Sequence, residues 1–313
     1  MKVVPIDLGG SPQRCAVAPP TRPTPCPQTI SLLIEEKRRR HPNSALCVSF
    51  FHGRIPDHTQ LAACAGHDKN LSANPADLNL DNTFILQAAG VGTIELEAMT
   101  FSPHVLRSAE RPYTAQRVVA MGEKLKALGF NLGVHLVPGL PGSDVEDAIA
   151  DAQTVSRSGW ADHVRIWPAL GFQGAKLSEW AKTGRWRPWD VRQTIDVVDQ
   201  MVSVLDDANI PVIRIGIQPG QDIPVRATAG PNHPNLRGEI ESRRFGKRLR
   251  NLLEGTPPGS TVVAAVNSKD LAWAKGISNV NGRTCESLYR LKRLEFVADE
   301  TVERGTVHLR RST

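Results

Sequence analysis

The sequence predicts an α/β protein built on a parallel, barrel-type sheet and followed by a small α+β module. Three observations predict it. Short apolar bursts rich in β-branched residues recur from about residue 44 to 217, separated by amphipathic stretches. Gly129 and Gly159 stand where helices would end and the next strands begin. After Pro219 the alternation stops and the composition turns to Gly, Pro, Asn and Arg. Alternating β and α with short links requires parallel strands, and six or seven such units make an open or closed barrel.

Taken in order, Val3–Leu8 supplies the first strand, and apolar runs at 45–51, 69–73, 93–98, 131–137, 163–168 and 212–217 supply the rest. Most are bounded by Gly, Pro or Asn, as strands buried on both faces should be. Residues 115–128, 144–156 and 191–208 carry apolar positions at spacings of three and four, the helical period. Residues 219–236 read as an irregular loop, and a basic helix follows at 239–253. A Pro-Pro-Gly turn at 257–259, a strand at 261–267, one or two short helices and a strand pair near 294–298 and 306–309 complete the module. The expected division is a barrel over 1–250 and the module over 251–313.

Composition narrows the functional classes. At 313 residues, 40% hydrophobic and 22% charged, the chain can bury a substantial core. No apolar run approaches the roughly 18–20 residues of a membrane span, and MKVVPIDLGG is too short an apolar start for a secretory signal. The expectation is a cytoplasmic protein with no membrane contact. A net charge of +6 permits anionic partners without demanding nucleic acid, which is not expected. The excess gathers at Lys37, Arg38, Arg39 and Arg40, read as a solvated helix end, and at Arg243, Arg244, Lys247, Arg248 and Arg250. The five cysteines, Cys15, Cys26, Cys47, Cys64 and Cys285, are odd in number and form no C-x2-C pair, so neither a disulfide framework nor a structural zinc site is indicated.

In barrels of this kind the working groups sit at the C-terminal ends of the strands. There the sequence offers His52, Glu95, Glu97, His135, Arg165, Arg214 and Gln218. Glu95 and Glu97 are two apart on a strand and share a face, as an acid/base pair or cation site requires. The other reading pairs one carboxylate with Arg165 or Arg214 as a buried ion pair supporting the barrel. His135 is a candidate base, or a hydrogen-bonded core histidine. Gly139 and Gly142 bracket a strand-to-helix turn that could receive an anion at the helix start, or could simply need glycines to turn. Trp180, Trp186 and Trp189, with Arg185 and Arg187, could stack a planar ligand, or form the apolar seam of an excursion across the barrel bottom, the reading preferred here. Lys275 and Gly276, with Asn281, Gly282, Arg283 and Thr284 before a helix, are distantly similar to KH-like nucleic-acid modules, but the GXXG loop is absent.

Five segments in order carry a family likeness: IELEAMT at 94–100, LVPGLPG at 136–142, VRIWP at 164–168, IPVIRIGIQP at 210–219 and AGPNHPNLRGEIESRRF at 229–245. Over roughly residues 1–255 the chain resembles the radical S-adenosylmethionine (SAM) superfamily, in the branch of the Elongator catalytic subunit and the oxygen-independent coproporphyrinogen oxidase-like proteins. The resemblance implies a partial (β/α)6 barrel whose mouth holds a [4Fe–4S] cluster and SAM. That cluster needs three thiolates in a C-x3-C-x2-C spacing, leaving the fourth iron free for SAM. In the matching loop only Cys15 remains, and Ser11 and Ala18 stand at the other two ligand positions. Neither replaces a soft thiolate. The second strand ends with one glycine, Gly53, the third turns through Ser72, Ala73, Asn74 and Pro75, and Met99 stands where the family shows Gln.

The expectation is therefore a degenerate radical-SAM-like barrel with no cofactor. It would bind a small, partly anionic organic ligand through Arg165, Arg214, Gln218, Gly139, Gly142 and His52, as a repurposed non-radical enzyme or a pseudoenzyme. Glu95, Glu97 and His135 are its candidate catalytic groups, and Cys15 is a remnant of the metal site. Two alternatives stay open. One is a cluster-dependent enzyme with SAM and unusual ligands (Cys15, Cys26, Cys64). The other is a scaffold for RNA or a protein partner.

Overall fold

The computed structural model describes residues 3–8, 27–40, 45–50, 55–216 and 227–311. Seven parallel strands form the main sheet: β1 (Val3–Leu8), β2 (Ala45–Phe50), β3 (Asp68–Ala73), β4 (Val91–Met99), β5 (Asn131–Leu136), β6 (His163–Ile166) and, after the two-residue β7 (Gly171–Phe172), β8 (Val212–Ile215). Their spatial order is their chain order, with β8 beside β6. Right-handed crossovers between strands laid down in one direction put every helix on the same face, so the sheet curls as a barrel wall. The partial-barrel expectation holds.

The intervening helices are α1 (Pro27–Arg40), α2 (His58–Ala62), α3 (Leu80–Ala88), α4 (Pro103–Ser108), α5 (Ala115–Ala127), α6 (Val145–Ser158), α7 (Lys176–Lys182) and α8 (Val191–Asp207). Local chemistry fixes their ends. Thr114 and Asp190 cap α5 and α8 by accepting the amides of Arg117 and Gln193. Asp144 and Asp147 form a capping box at the start of α6, and Gly159 closes it at φ 70°. Short helices α2, α3, α4 and α7 escape the sequence reading, because runs of five to nine residues show too little period to separate from loop. Within the expected irregular loop, β9 (Ala227–Ala229) pairs antiparallel with β7.

Strand alternation sorts the sheet into two faces. Leu71, Ala73, Ile94, Leu96, Ala98, Leu132, Val134, Leu136, Val164 and Ile166 are all buried, and parity puts them on one face. Register puts polar residues on the other. Ser72, Glu95, Gly133 and His163 form one row across β3 to β6, and His135, Arg165 and Arg214 form the next across β5, β6 and β8.

Chain compactness divides the protein into two units, Met1–Pro234 and Asn235–Thr313. The boundary lies ahead of the basic helix, so α9 (Leu236–Leu253), which a division at residue 250 would cut, falls whole in the second unit. That unit also holds β10 (Thr261–Val266), α10 (Leu271–Lys275), α11 (Val280–Tyr289), β11 (Arg293–Ala298) and β12 (His308–Arg311). The last two strands do not pair with each other as expected: β10 lies between them, parallel to β11 and antiparallel to β12. Its run TVVAAV is apolar enough for the centre of a sheet, while the charged β11 and β12 take the edges. Phe245, Leu249 and Leu253 of α9 pack with Val262, Ala264, Cys285 and Leu294 as the core.

In the barrel unit, α5 passes Trp160 so closely that a Cβ on Gly122 would lie 2.7 Å from the indole ring. Gly122→Ala should therefore cost about 1–3 kcal/mol by overpacking, despite the gain in helix propensity. Urea unfolding at constant slope checks this.

Candidate active site

Glu95 is the hub of the polar face. It is 2% exposed, and side chains from β5 and β6 converge on it. His135 Nε2 donates to its Oε2 at 2.5 Å, Arg165 Nη2 donates to Oε1 at 2.6 Å, and His163 Nε2 stands 3.5 Å from Oε1. Gly133 makes this convergence possible. A Cβ there would lie 2.4 Å from His163 Nε2 and 3.0 Å from Glu95 Cγ. Burial alone would raise the Glu95 pKa. The hydrogen bond from His135, the nearby His163 ring and the charges of His135 and Arg165 instead hold it well below the usual carboxylate range. In the next row, the Trp167 ring lies between the His135 ring, 4.5 Å away, and the Arg214 guanidinium, 5.8 Å away.

The two glutamates have separate surroundings. Glu97 is buried, its carbonyl accepts the Tyr113 hydroxyl at 2.8 Å, and its charge adds to burial in raising the Asp77 carboxyl. Of the two readings, the ion pair with Arg165 is the arrangement found at Glu95.

Gly139 and Gly142 are turn and packing positions, with φ of 83° and 79°. A Cβ on Gly139 would press the Trp189 ring, and one on Gly142 would meet Ser108 Oγ at 2.8 Å. The following helix start is closed by its own capping box, with Glu146 and Asp147 in its first turn. That concentration of carboxylates works against the anion site expected there. Trp180 and Trp186 do form an apolar seam, but not across the barrel bottom. They pack with Met99, Val137, Leu140 and Ala169, residues that lie at or just past the C-terminal ends of β4, β5 and β6. Trp186 Nε1 donates to the Gly139 carbonyl at 2.9 Å, which ties the seam to the turn.

His52, Gln218, Cys15, Cys26, Ser11 and Ala18 lie outside the described residues, as does the side chain of Cys47. Cys64 is buried; its thiol donates to the Gln60 carbonyl at 3.5 Å, and burial pushes its pKa up to about 11. Among the described residues no three His, Cys, Asp or Glu side chains converge as a metal would need, and the loop that matches the family's cluster motif lies outside them. In the second unit, Asn281 and Gly282 are buried within the first turn of α11, so the loop expected before a helix is helix.

Sequence reasoning missed one group at the end of β4. Met99 is 1% exposed with φ 60°, and Thr100 N donates to Ala98 O at 2.7 Å, a γ-turn of the strained hand. Asp151 of α6 clamps the residues just past it, accepting the Phe101 amide at 2.6 Å and the Thr100 hydroxyl. Burial raises its carboxyl to about 7. The signal was available: Asp151 sits in the Ala148, Ala152, Val155 stripe of α6, where an apolar residue belongs.

Two stability predictions follow from these carboxylates. Glu95→Ala leaves Arg165 and His135 buried without their counter-charge and should cost about 3–5 kcal/mol near neutral pH. Because the folded state holds Glu95 below its ordinary pKa, this contribution is present above pH 4.5 and is lost on further acidification. Asp151 has the opposite sign. Its folded pKa lies above the ordinary 3.8, so its ionisation removes stability as pH rises from there to about 7. Asp151→Asn keeps the acceptor for Phe101 and should raise the melting temperature above pH 7 but not below 4; thermal melts across this range check both.

Comparison with known proteins places this geometry. The Radical_SAM C-terminal domain family matches residues 161–244. The tRNA uridine(34) acetyltransferase of Methanocaldococcus jannaschii is 28% identical over 118 residues, covering 37% of this chain and 22% of that protein. Elongator complex protein 3 of Dictyostelium discoideum is 26% identical over 169 residues, covering 52% and 29%. The haem chaperone HemW of Buchnera aphidicola is 29% identical over 84 residues, covering 27% and 22%. The chain thus spans less than a third of the length of each of these relatives. In fold it is similar to the Elongator protein 3 of Methanocaldococcus infernus, with a TM-score of 0.62 at 17% identity over 78% of this chain and 63% of that one. These matches agree with the resemblance to the radical SAM superfamily, on the side of its Elongator-protein-3-like and haem-chaperone-like members, and the fold is that of a radical-SAM-type partial barrel.

Proposed function

We propose that this chain is a radical-SAM-type barrel that has lost the family's cluster chemistry and binds a small, partly anionic organic molecule at the C-terminal ends of its strands, as a repurposed enzyme or a ligand-sensing pseudoenzyme. The observation that carries the reading is the polar inner face. A purely structural barrel fills its interior with branched apolar side chains. Here the rows through Ser72, Glu95 and His163, and through His135, Arg165 and Arg214, are polar from strand to strand. Ser11 and Ala18 at the cluster positions of the sequence support the loss of the cluster.

In this reading Glu95 is a positioning residue. It fixes the rotamers of His135 and Arg165, so that donors held by the first row support a ligand above the second. Arg214 and Trp167, 5.8 Å apart, supply a cation and a planar wall beside that row. The activities in the relatives' names concern proteins of which this chain covers 22–29%, and they are not carried over.

Thermal-shift measurements against SAM, S-adenosylhomocysteine, nucleotides and carboxylated metabolites test the proposal. The expected result is stabilisation by at least one anionic compound, abolished by Arg214→Ala. Anaerobic reconstitution tests the other half. About four irons per chain, with a SAM-sensitive reduced signal, would overturn the loss of the cluster and establish the cluster-dependent alternative.

A further inference from the structure

The second unit carries a surface that the barrel reading does not use. Residues 235–313 contain fifteen Lys and Arg against nine Asp and Glu, while residues 1–234 contain twenty-three of each. All of the chain's +6 charge therefore belongs to the second unit. Within it, the stretch from Lys275 to Arg293 holds five cations, Lys275, Arg283, Arg290, Lys292 and Arg293, and one carboxylate. That carboxylate, Glu286, is turned inward, where it accepts the Leu294 amide at 2.8 Å.

The same stretch exposes aliphatic side chains. Ile277 is 65% exposed, Val280 44% and Leu288 58%. Asn281 and Cys285 mark the buried side of α11, so Val280, Arg283, Thr284 and Ser287 share its outward side with Leu288 at the margin. Ile277 is held out ahead of the helix by unusual backbone conformations on both sides of it: Gly276 at φ 70°, ψ 174°, Ser278 at φ 51° and Asn279 at φ 58°. The turn is anchored, not frayed. Asn281 Nδ2, itself buried, donates to Ser242 O at 2.9 Å and Ala274 O at 3.0 Å. A chain gains nothing for its own core by fixing an isoleucine in water with two left-handed non-glycine residues.

We propose that this face docks the protein on an anionic lipid surface, with Ile277, Val280 and Leu288 entering the headgroup boundary and Arg283, Arg290 and Lys292 meeting the lipid charge. Charge and side-chain type together select this occupant. The other exposed apolar face, Leu80, Phe84 and Ile85 on α3, has Asp81 in its first turn and no matching cations to attract an anionic surface. Single-stranded nucleic acid is held largely by bases stacked on aromatic rings, whereas the protruding apolar groups here, Ile277, Val280 and Leu288, are aliphatic, the chemistry of a bilayer boundary. No helix of the described residues is long and apolar enough to cross a membrane, and a face lying on the surface needs none.

Flotation of the full chain with vesicles of phosphatidylcholine alone, and of phosphatidylcholine mixed with phosphatidylglycerol, tests this. Binding is expected only to the mixed vesicles and should fall as salt is raised. Arg283→Glu should weaken it about fivefold or more. The double change Ile277→Asp and Val280→Asp should weaken it about tenfold or more, with an unchanged melting temperature showing that the exposed sites were not needed for folding. Phe84→Ser on α3 should leave it unaltered. Absence of binding to the mixed vesicles, or binding that the double variant leaves intact, overturns the proposal. RNA binding that survives the double variant would assign the face to a polyanion instead. The outcome is independent of whether the barrel mouth binds a ligand.

Discussion

The barrel depends on one buried carboxylate. Glu95 stands in the polar row shared by β3, β4, β5 and β6, and it is the acceptor that lets His135 and Arg165 occupy that interior. Each of those donors would carry a desolvation cost of several kcal/mol if left without an acceptor. The requirement propagates outward. His163 can reach Glu95 only because residue 133 has no side chain, and Gly133 is tolerated in mid-strand only because the space is filled by that ring. A substitution at Glu95, Gly133 or His163 therefore acts on the other two.

The alternation of the sheet was legible because both faces of each strand obey one rule, period two, and the strands are separated by helices long enough to show period 3.6. Glu95, His135, Arg165 and Arg214 were legible for the same reason: each breaks an apolar run at a strand position. What escaped was relational. No pattern in the sequence says that Gly133 is empty for the sake of His163, or that Asp151 on one helix reaches back to the strand end at Met99. The tryptophan seam was recognised as a seam but assigned to the wrong end, because a run of apolar residues says that it is buried and not against what. The order of β11, β10 and β12 was missed because adjacency in sequence is only a prior for adjacency in a sheet.

The strained corner and the ion-pair hub meet on β4. Five residues of one strand, Glu95 to Met99, carry the hub, a second buried carboxylate, and a left-handed buried methionine. A strand end that only closed a barrel would leave its last residue extended. Here the chain turns sharply instead, and the Val137 amide donates to the Met99 carbonyl at 2.8 Å, fastening the corner to the end of β5. The tryptophan seam then packs over the same methionine. The C-terminal end of the sheet is thus the most tightly specified part of the unit, the place where a fold of this kind puts its working groups.

The two units differ in how their charges are balanced. Charges buried on an inner face must be matched pairwise, and the arginine and histidines there are matched to a glutamate. The second unit has no such interior: its buried polar groups are few, Asp270 with Arg304 and Asn281 with backbone carbonyls among them. Arg237, Arg293, Arg304 and Arg310 pair with carboxylates of the same unit, and the excess of cations over carboxylates there exceeds what such pairs can match. A net charge that looks mild over the whole chain is concentrated where it can act on an external partner, and absent where it would strain the core.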